Sequence, residues 1–84
     1  MQYPNKHNKE FAEFIKLYRD AHRLTVQQLA DQVGVSATTI RKYENTTSSP
    51  YSHYLVLLLD GMGYDARVYY YWNAKLNGTG LKDD

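Results

Sequence analysis

The sequence contains no cysteine, so it can form neither a disulfide bond nor a thiolate metal site. Its three histidines, His7, His22 and His53, lie too far apart in sequence to indicate a cluster of metal ligands. We therefore expect the protein to bind no metal and to need no other cofactor.

Long apolar runs are also lacking. The longest, over residues 54–59, is far shorter than the roughly 20 apolar residues that cross a bilayer as a helix. The N-terminus, MQYPNK, has no apolar core of the kind found in signal peptides. These features predict a cytoplasmic protein with no membrane partner, and a length of 84 residues predicts a single domain.

Neither sign of charge is in large excess, because ten Lys and Arg residues oppose nine Asp and Glu residues and the net charge is +1. Such a balance does not by itself indicate a nucleic-acid partner. No histidine has an acid and a nucleophile nearby in a recognisable order, and no glycine-rich phosphate-binding loop is present. The sequence therefore indicates that the protein is not an enzyme.

Residues 25–45 predict two short amphipathic helices on either side of a glycine corner. Thr25 and Gln28 have the spacing of a capping box, which would begin the first of these helices. Gly34 can take the left-handed conformation that ends a helix and turns the chain. Ser36 can then cap the second helix. The residues expected on the buried side are Leu29, Ala30, Val33, Val35, Ile40 and Tyr43.

The other side of the second helix carries small or hydrogen-bonding residues. If Ile40 and Tyr43 face inward, the helical period turns this set outward. Any surface helix has polar residues, so the period alone favours ordinary surface as much as a DNA-reading face. The glycine corner, the small Ala30 and the two caps occur together in register, and this combination favours the DNA-reading interpretation. The outward residues are Ala37, Thr38, Arg41, Lys42 and Asn45.

The run LTVQQLADQVGVSATTIRKYENTTSSP, which begins at Leu24, resembles the helix-turn-helix family of phage repressors and Cro proteins. The resemblance continues without a gap through LLLDGMGYD to Asp65. It implies an all-α fold, a compact bundle of about five helices like the lambda repressor DNA-binding domain, that binds double-stranded DNA as a homodimer in a bacterial or phage-infected cell. The matched residues include Thr25, Leu29, Ala30, Gly34, Val35, Ser36, Ile40, Glu44 and Pro50.

A recognition helix reads the donors and acceptors that base edges present in the major groove. We predict that the bases are contacted by Ala37, Thr38, Arg41, Lys42 and Asn45. Contacts to phosphates fix the position of the helix without carrying sequence information. For the DNA backbone we predict contacts from Gln27, Gln28, Ser36, Thr39 and Thr46.

Two further helices are expected around this unit. One runs from Lys9 to about His22, with Asn8 as its cap, and its polar face, which includes Arg19, is expected to be solvated surface. The other opens with Pro50 at its first position and runs to about Asp60. It carries more apolar residues than one buried stripe needs, which is typical of a partner interface. The surplus residues are Tyr54, Val56 and Leu57.

Residues 66–77 permit two interpretations. As a helix, the segment would be capped by Asp65 and ended by Gly78. As a short dimerising strand, its valine and aromatic residues would alternate between two faces. The alignment of Asp65 with the family's cap favours the helix, and either interpretation assigns the aromatic residues to a dimer interface. With the surplus residues above, they are Tyr69, Tyr70, Tyr71 and Trp72.

The chain is thus expected to consist of a flexible arm over residues 1–8, one DNA-binding domain over 9–77 and a flexible tail over 78–84. The leading hypothesis is a dimeric repressor of phage or mobile-element type that binds an inverted-repeat operator. Three alternatives stay open: an antitoxin-type regulator with a small protein partner, a recombination accessory factor that bends DNA, and a protein-interaction domain that does not use the DNA groove.

Overall fold

Five α-helices make up the part of the protein that the computed structural model describes, residues 7–45 and 50–77. These described residues contain no strand, which confirms the expected all-α fold of about five helices. None of the five helices is long and apolar enough to cross a membrane. Residues 1–6, 46–49 and 78–84, which include Thr46, lie outside the described residues. The helices are α1 (His7–His22), α2 (Val26–Val33), α3 (Ala37–Glu44), α4 (Ser52–Gly61) and α5 (Ala66–Asn77).

The core is built from one apolar stripe on each helix. α1 packs against α3 and α5, α2 packs against α3 and α4, and α4 packs against α5. The residues Phe11 and Ile15 show why α1 forms, because they are one helical turn apart and both are completely buried. The other fully buried large residues are Leu29, Ile40, Leu55, Leu58, Leu59 and Pro50.

Two helix starts differ from the prediction. α1 begins at His7 rather than at Lys9, so Asn8 is a buried residue of the first turn and not a cap. α4 begins at Ser52, with Tyr51 in the extended conformation of an N-cap residue. Pro50 therefore precedes the helix instead of occupying its first position, and it is completely buried.

The segment 66–77 is the helix α5, so the dimerising strand is wrong. Asp65 caps this helix as expected: the backbone N–H of Arg67 donates to Asp65 Oδ1 at 2.9 Å. The stripe Val68, Trp72 and Leu76, spaced by four residues, then packs against the core. The expected stop at Gly78 lies outside the described residues.

Trp72 lies inside the single chain, which corrects its assignment to the dimer interface. Its ring centroid is 5.1 Å from that of Phe11, in an edge-to-face arrangement, and 5.3 Å from that of Phe14. Only 7% of its surface is exposed. The large ring fills the space between α1 and α5, so little of it is left for a partner.

The C-terminal ends of α2 and α4 approach each other closely. A Cβ atom added at Gly61 would lie 2.8 Å from the Cα and from the Cγ1 of Val33. The side chain of Gln32 joins the same region, because its Nε2 donates to Gly61 O at 3.0 Å and to Tyr18 Oη at 2.8 Å. Position 61 therefore requires glycine, because any side chain there would clash with Val33.

Candidate nucleic-acid interface

α2 begins with the predicted capping box. Gln28 N donates to Thr25 Oγ1 at 3.0 Å, and Thr25 N donates to Gln28 Oε1 at 2.8 Å. Two backbone N–H groups that the helix leaves without internal partners are satisfied in this way. The neighbouring Gln27 uses its side-chain amide differently, donating to Asp31 Oδ1 at 2.9 Å.

The corner between α2 and α3 is made by Gly34, which has φ +85° as predicted. Ala30 O accepts from Gly34 N at 2.9 Å and from Val35 N at 3.1 Å, and these bonds close the end of α2. Ala30 itself is completely buried. Its single methyl group fits the small side chain expected where the two helices cross.

Ser36 caps α3, as predicted. Its Oγ accepts from Thr39 N at 3.1 Å and lies 2.9 Å from Thr39 Oγ1. One hydroxyl must donate to the other, so the two side chains form a linked pair at the N-terminus of α3. Both were predicted to contact DNA phosphates.

α3 has the two sides that were predicted for it. Ile40 is completely buried and Tyr43 is 5% exposed, so these two residues attach the helix to the core. Four of the predicted base-contacting residues share the opposite side, where Arg41, Lys42 and Asn45 follow Thr38 by three, four and seven residues. Ala37 is half-buried and packs against the core, so it is the least accessible of the set. The exposed members are Thr38, Arg41, Lys42 and Asn45.

The exposed side of α3 carries positive charge. Arg41 and Lys42 lie in its last turn, and its first turn has no acid. The one acid of the helix, Glu44, is 7% exposed and points inward. Its charge is therefore not part of the face that carries the two cations.

Glu44 is held by Arg19, a residue that the sequence pattern placed on solvated surface. Arg19 Nε donates to Glu44 Oε2 at 2.8 Å and Nη2 donates to Oε1 at 3.0 Å, while Nη1 donates to Leu24 O at 3.1 Å. The hydrogen bond to Glu44 raises the pKa of Arg19 above its ordinary value. This clamp joins α1 to the end of α3 and fixes the direction of the helix.

The predicted dimer surface lies on α4 and α5 and includes no residue of α3. Its most exposed members are Tyr70 at 68% and Tyr71 at 54%, and the ring of Tyr71 has Lys75 Nζ 5.0 Å from its centroid. Tyr54 and Tyr69 are half-buried. Val56 and Leu57 are exposed neighbours on α4. Apart from Trp72, the predicted residues are thus all at least partly accessible.

A model of the helix-turn-helix domain family matches residues 10–68, well over half of the chain, including α2, the glycine corner and α3. The chain belongs to the helix-turn-helix domain family. This helix-turn-helix protein is also similar to a solved structure, an HTH_3 family transcriptional regulator from Vibrio cholerae, with a TM-score of 0.67 and 22% sequence identity. The similarity covers 76% of this chain and 36% of that chain, and it shows a shared fold.

A comparison with curated proteins gives no match. The narrower resemblance of the helix-turn-helix protein to phage repressors and Cro therefore stays a prediction. The roles of its individual residues on DNA stay predictions as well.

Proposed function

We propose that the protein is a sequence-specific transcriptional regulator that places α3 in the major groove of double-stranded DNA. The observation that carries this proposal is the exposed side of α3, where donors and two cations stand together and the only acid is turned inward to Arg19. The caps and the glycine corner hold this side away from the core, as a helix that enters a groove requires.

Each exposed residue of α3 has a matching base edge. The guanine O6 and N7 atoms both accept, so Arg41 and Lys42 suit guanine. The methyl groups of Thr38 and of the half-buried Ala37 suit the methyl of thymine, and the amide of Asn45 suits adenine. These pairings would provide the sequence specificity.

The residues proposed for phosphate contact differ in whether a side-chain donor is available for a new hydrogen bond. Gln28 uses Oε1 in the cap, so its Nε2 can donate to a phosphate. Ser36 and Thr39 share one hydrogen bond, which leaves the second hydroxyl proton to donate outward. Gln27 donates to Asp31, so a phosphate oxygen would have to replace that carboxylate. Thr46 belongs to the proposal but lies outside the described residues.

We further propose that the protein acts as a homodimer, as repressors of phage or mobile-element type do. One recognition helix contacts few base pairs, whereas two helices roughly 34 Å apart would read both halves of an inverted repeat. The exposed apolar residues of α4 and α5 would form the joint, because none of them belongs to α3. They are Tyr54, Val56, Leu57, Tyr69, Tyr70 and Tyr71.

Selection of binding sites from a random pool of double-stranded DNA tests this function. Enrichment of a palindromic consensus is the expected result. Enrichment of single, asymmetric sites would contradict the dimer but keep DNA reading. Absence of any enriched sequence would contradict DNA reading and favour a protein-interaction domain.

A second candidate is an antitoxin-type regulator, in which the exposed surface of α4 and α5 binds a different small protein. The high exposure of Tyr70 and Tyr71 supports this candidate as well as the dimer. Sedimentation equilibrium of the purified chain separates the two. A two-chain mass supports the homodimer, whereas a monomer at all concentrations together with co-purification of a defined second chain supports the antitoxin.

A further inference from the structure

A cup with a volume of about 240 Å³ opens between the C-terminal end of α4 and the start of α5. Three tyrosines contribute to its wall: Tyr64 and Tyr70 are exposed, and Tyr69 is half-buried. The rings of Tyr69 and Tyr70 are 5.4 Å apart at an angle of 64°, so they form two sides of a corner. Apolar side chains of α4 complete the lining.

Two acids, Asp60 and Asp65, also line the cup, and no basic residue does. Asp65 is paired with Arg67, whose Nη2 lies 2.8 Å from Asp65 Oδ2. Asp60 forms no ion pair with any residue that the structure describes. Asp60 is exposed, so its carboxylate is accessible to a ligand in the cup.

The helix ends around the cup favour a positive ligand. Asp60 lies in the last turn of α4, which contains no basic residue, and a helix C-terminus carries partial negative charge. The start of α5 has the opposite partial charge, but Asp65 caps it. Because Arg67 balances the charge of Asp65, Asp60 and the end of α4 are the features that favour a cation.

Aromatic rings and carboxylates together suit one class of ligand. The face of an aromatic ring attracts a cation, and cages of such rings recognise methylated ammonium groups. The ring of Tyr71, on the same helix, already holds Lys75 Nζ at 5.0 Å. The cup is also large enough, since a cavity of about 150 Å³ holds benzene.

We propose that this cup binds a small organic cation with a methylated ammonium head group. The methyl groups would pack against the tyrosine rings and the apolar side chains of α4, and the charge would face Asp60. The site goes beyond DNA reading and does not depend on it, because α3 packs against α1 and α2 and contributes nothing to the cup. Val56, Tyr69 and Tyr70 also belong to the proposed dimer joint, so the ligand and a second copy of the chain would compete for this surface.

A titration of the isotope-labelled protein with choline chloride, followed by amide NMR shifts, tests the site. Its matched ligand is 3,3-dimethyl-1-butanol, which has the shape of choline without the charge. We expect choline to shift the signals of Tyr64, Tyr69 and Tyr70 saturably, and the alcohol to bind at least about fivefold more weakly. Equal binding of the two compounds, or no choline shift at any protein concentration, overturns the proposal.

Four variants locate the effect. Asp60→Asn and Tyr70→Leu should each weaken choline binding about fivefold, whereas Tyr70→Phe, which keeps the ring, should not. Asp20→Asn removes an exposed acid of α1 and should leave choline binding unchanged. All of these side chains are exposed, so each variant should have the melting temperature of the wild type. If Asp20→Asn weakens binding as much as Asp60→Asn does, overall charge and not the cup is responsible.

Discussion

Arg19 and Glu44 meet in a two-pronged ion pair, at 2.8 Å and 3.0 Å, across 25 residues of sequence. Glu44 is 7% exposed, so its charge is acceptable only while the guanidinium is present. Because α3 ends at Glu44, the pair decides how the recognition helix is held against α1. A substitution at this pair should therefore change the stability of the protein, which can be measured in the absence of DNA.

Arg19→Met is expected to destabilise the protein by about 3 kcal/mol, because it leaves a buried carboxylate without its partner. Chemical denaturation measures this loss. The double variant Arg19→Met with Glu44→Gln removes the stranded charge and should recover part of the stability. An equal loss in the single and double variants would show that packing, not charge, is responsible.

Replacing Arg41 and Lys42 together by alanine should weaken specific DNA binding at least about tenfold, since each good base contact contributes about 1 to 3 kcal/mol. Circular dichroism should not change, because both side chains are exposed. The matched control is Lys9→Ala with Lys16→Ala, which removes the same charge from exposed positions on α1. If the control weakens binding equally, general attraction to DNA would explain the effect.

Gly34→Ala should destabilise the protein by about 1 kcal/mol, because φ is +85° there and a side chain makes that conformation unfavourable. No atom lies within 4 Å of an added Cβ, so the loss would come from the backbone alone. Gly34→Asn should cost less, since asparagine adopts the left-handed conformation more readily. Thermal melting of both variants checks the order, and an equal loss would contradict the backbone explanation.

Stability should fall between about pH 10 and pH 12 as Tyr43 titrates. Burial raises the pKa of Tyr43 to about 12, with a smaller effect from Tyr54. An unfolded tyrosine ionises near pH 10, so in this window the unfolded chain releases a proton that the folded chain keeps. The contribution is complete below about pH 10 and is lost as the pH rises through the folded value.

Tyr43→Phe cannot ionise and should lose less stability than the wild type over that window, measured by denaturation at each pH. Tyr51→Phe changes a tyrosine that is 73% exposed and should follow the wild-type curve. Parallel curves for the wild type and Tyr43→Phe would contradict the role of Tyr43.

Leu57→Lys should weaken the proposed homodimer, because it puts a charge on the apolar surface of α4, where Leu57 is 42% exposed. Leu57 does not line the cup, so the substitution does not alter the proposed choline site. Leu17→Lys on α1 is the control, at a leucine that is 68% exposed. Sedimentation equilibrium compares the two, and equal dimer affinities would exclude α4 from the joint.

Local signals explain what could be predicted from the sequence. The caps at Thr25 and Ser36 and the left-handed Gly34 act within three or four residues, so their pattern is visible in a short window. The ion pair of Arg19 is not visible in this way, because its partner is 25 residues away and a polar helix face gives no sign of it.

Trp72 shows a different limit of sequence patterns. An apolar period predicts that a residue is buried, but it does not distinguish burial inside one chain from burial between two chains. Phe11 and Phe14 decide the matter for Trp72, since their rings reach it from α1. The DNA contacts of α3 stay predictions for a related reason, because exposure alone does not identify a partner.

The contact between Gly61 and Val33 has a consequence for how accurately a dimer could measure DNA. α4 carries the proposed joint, and α2 supports the corner from which α3 projects. At Gly61 the main chain of α4 lies directly against the Cα and the side chain of Val33 in α2, so this close contact sets the spacing of the two helices. In the proposed dimer, this contact would help to fix the distance between the two recognition helices. The protein would then accept little variation in the spacing of the DNA half-sites.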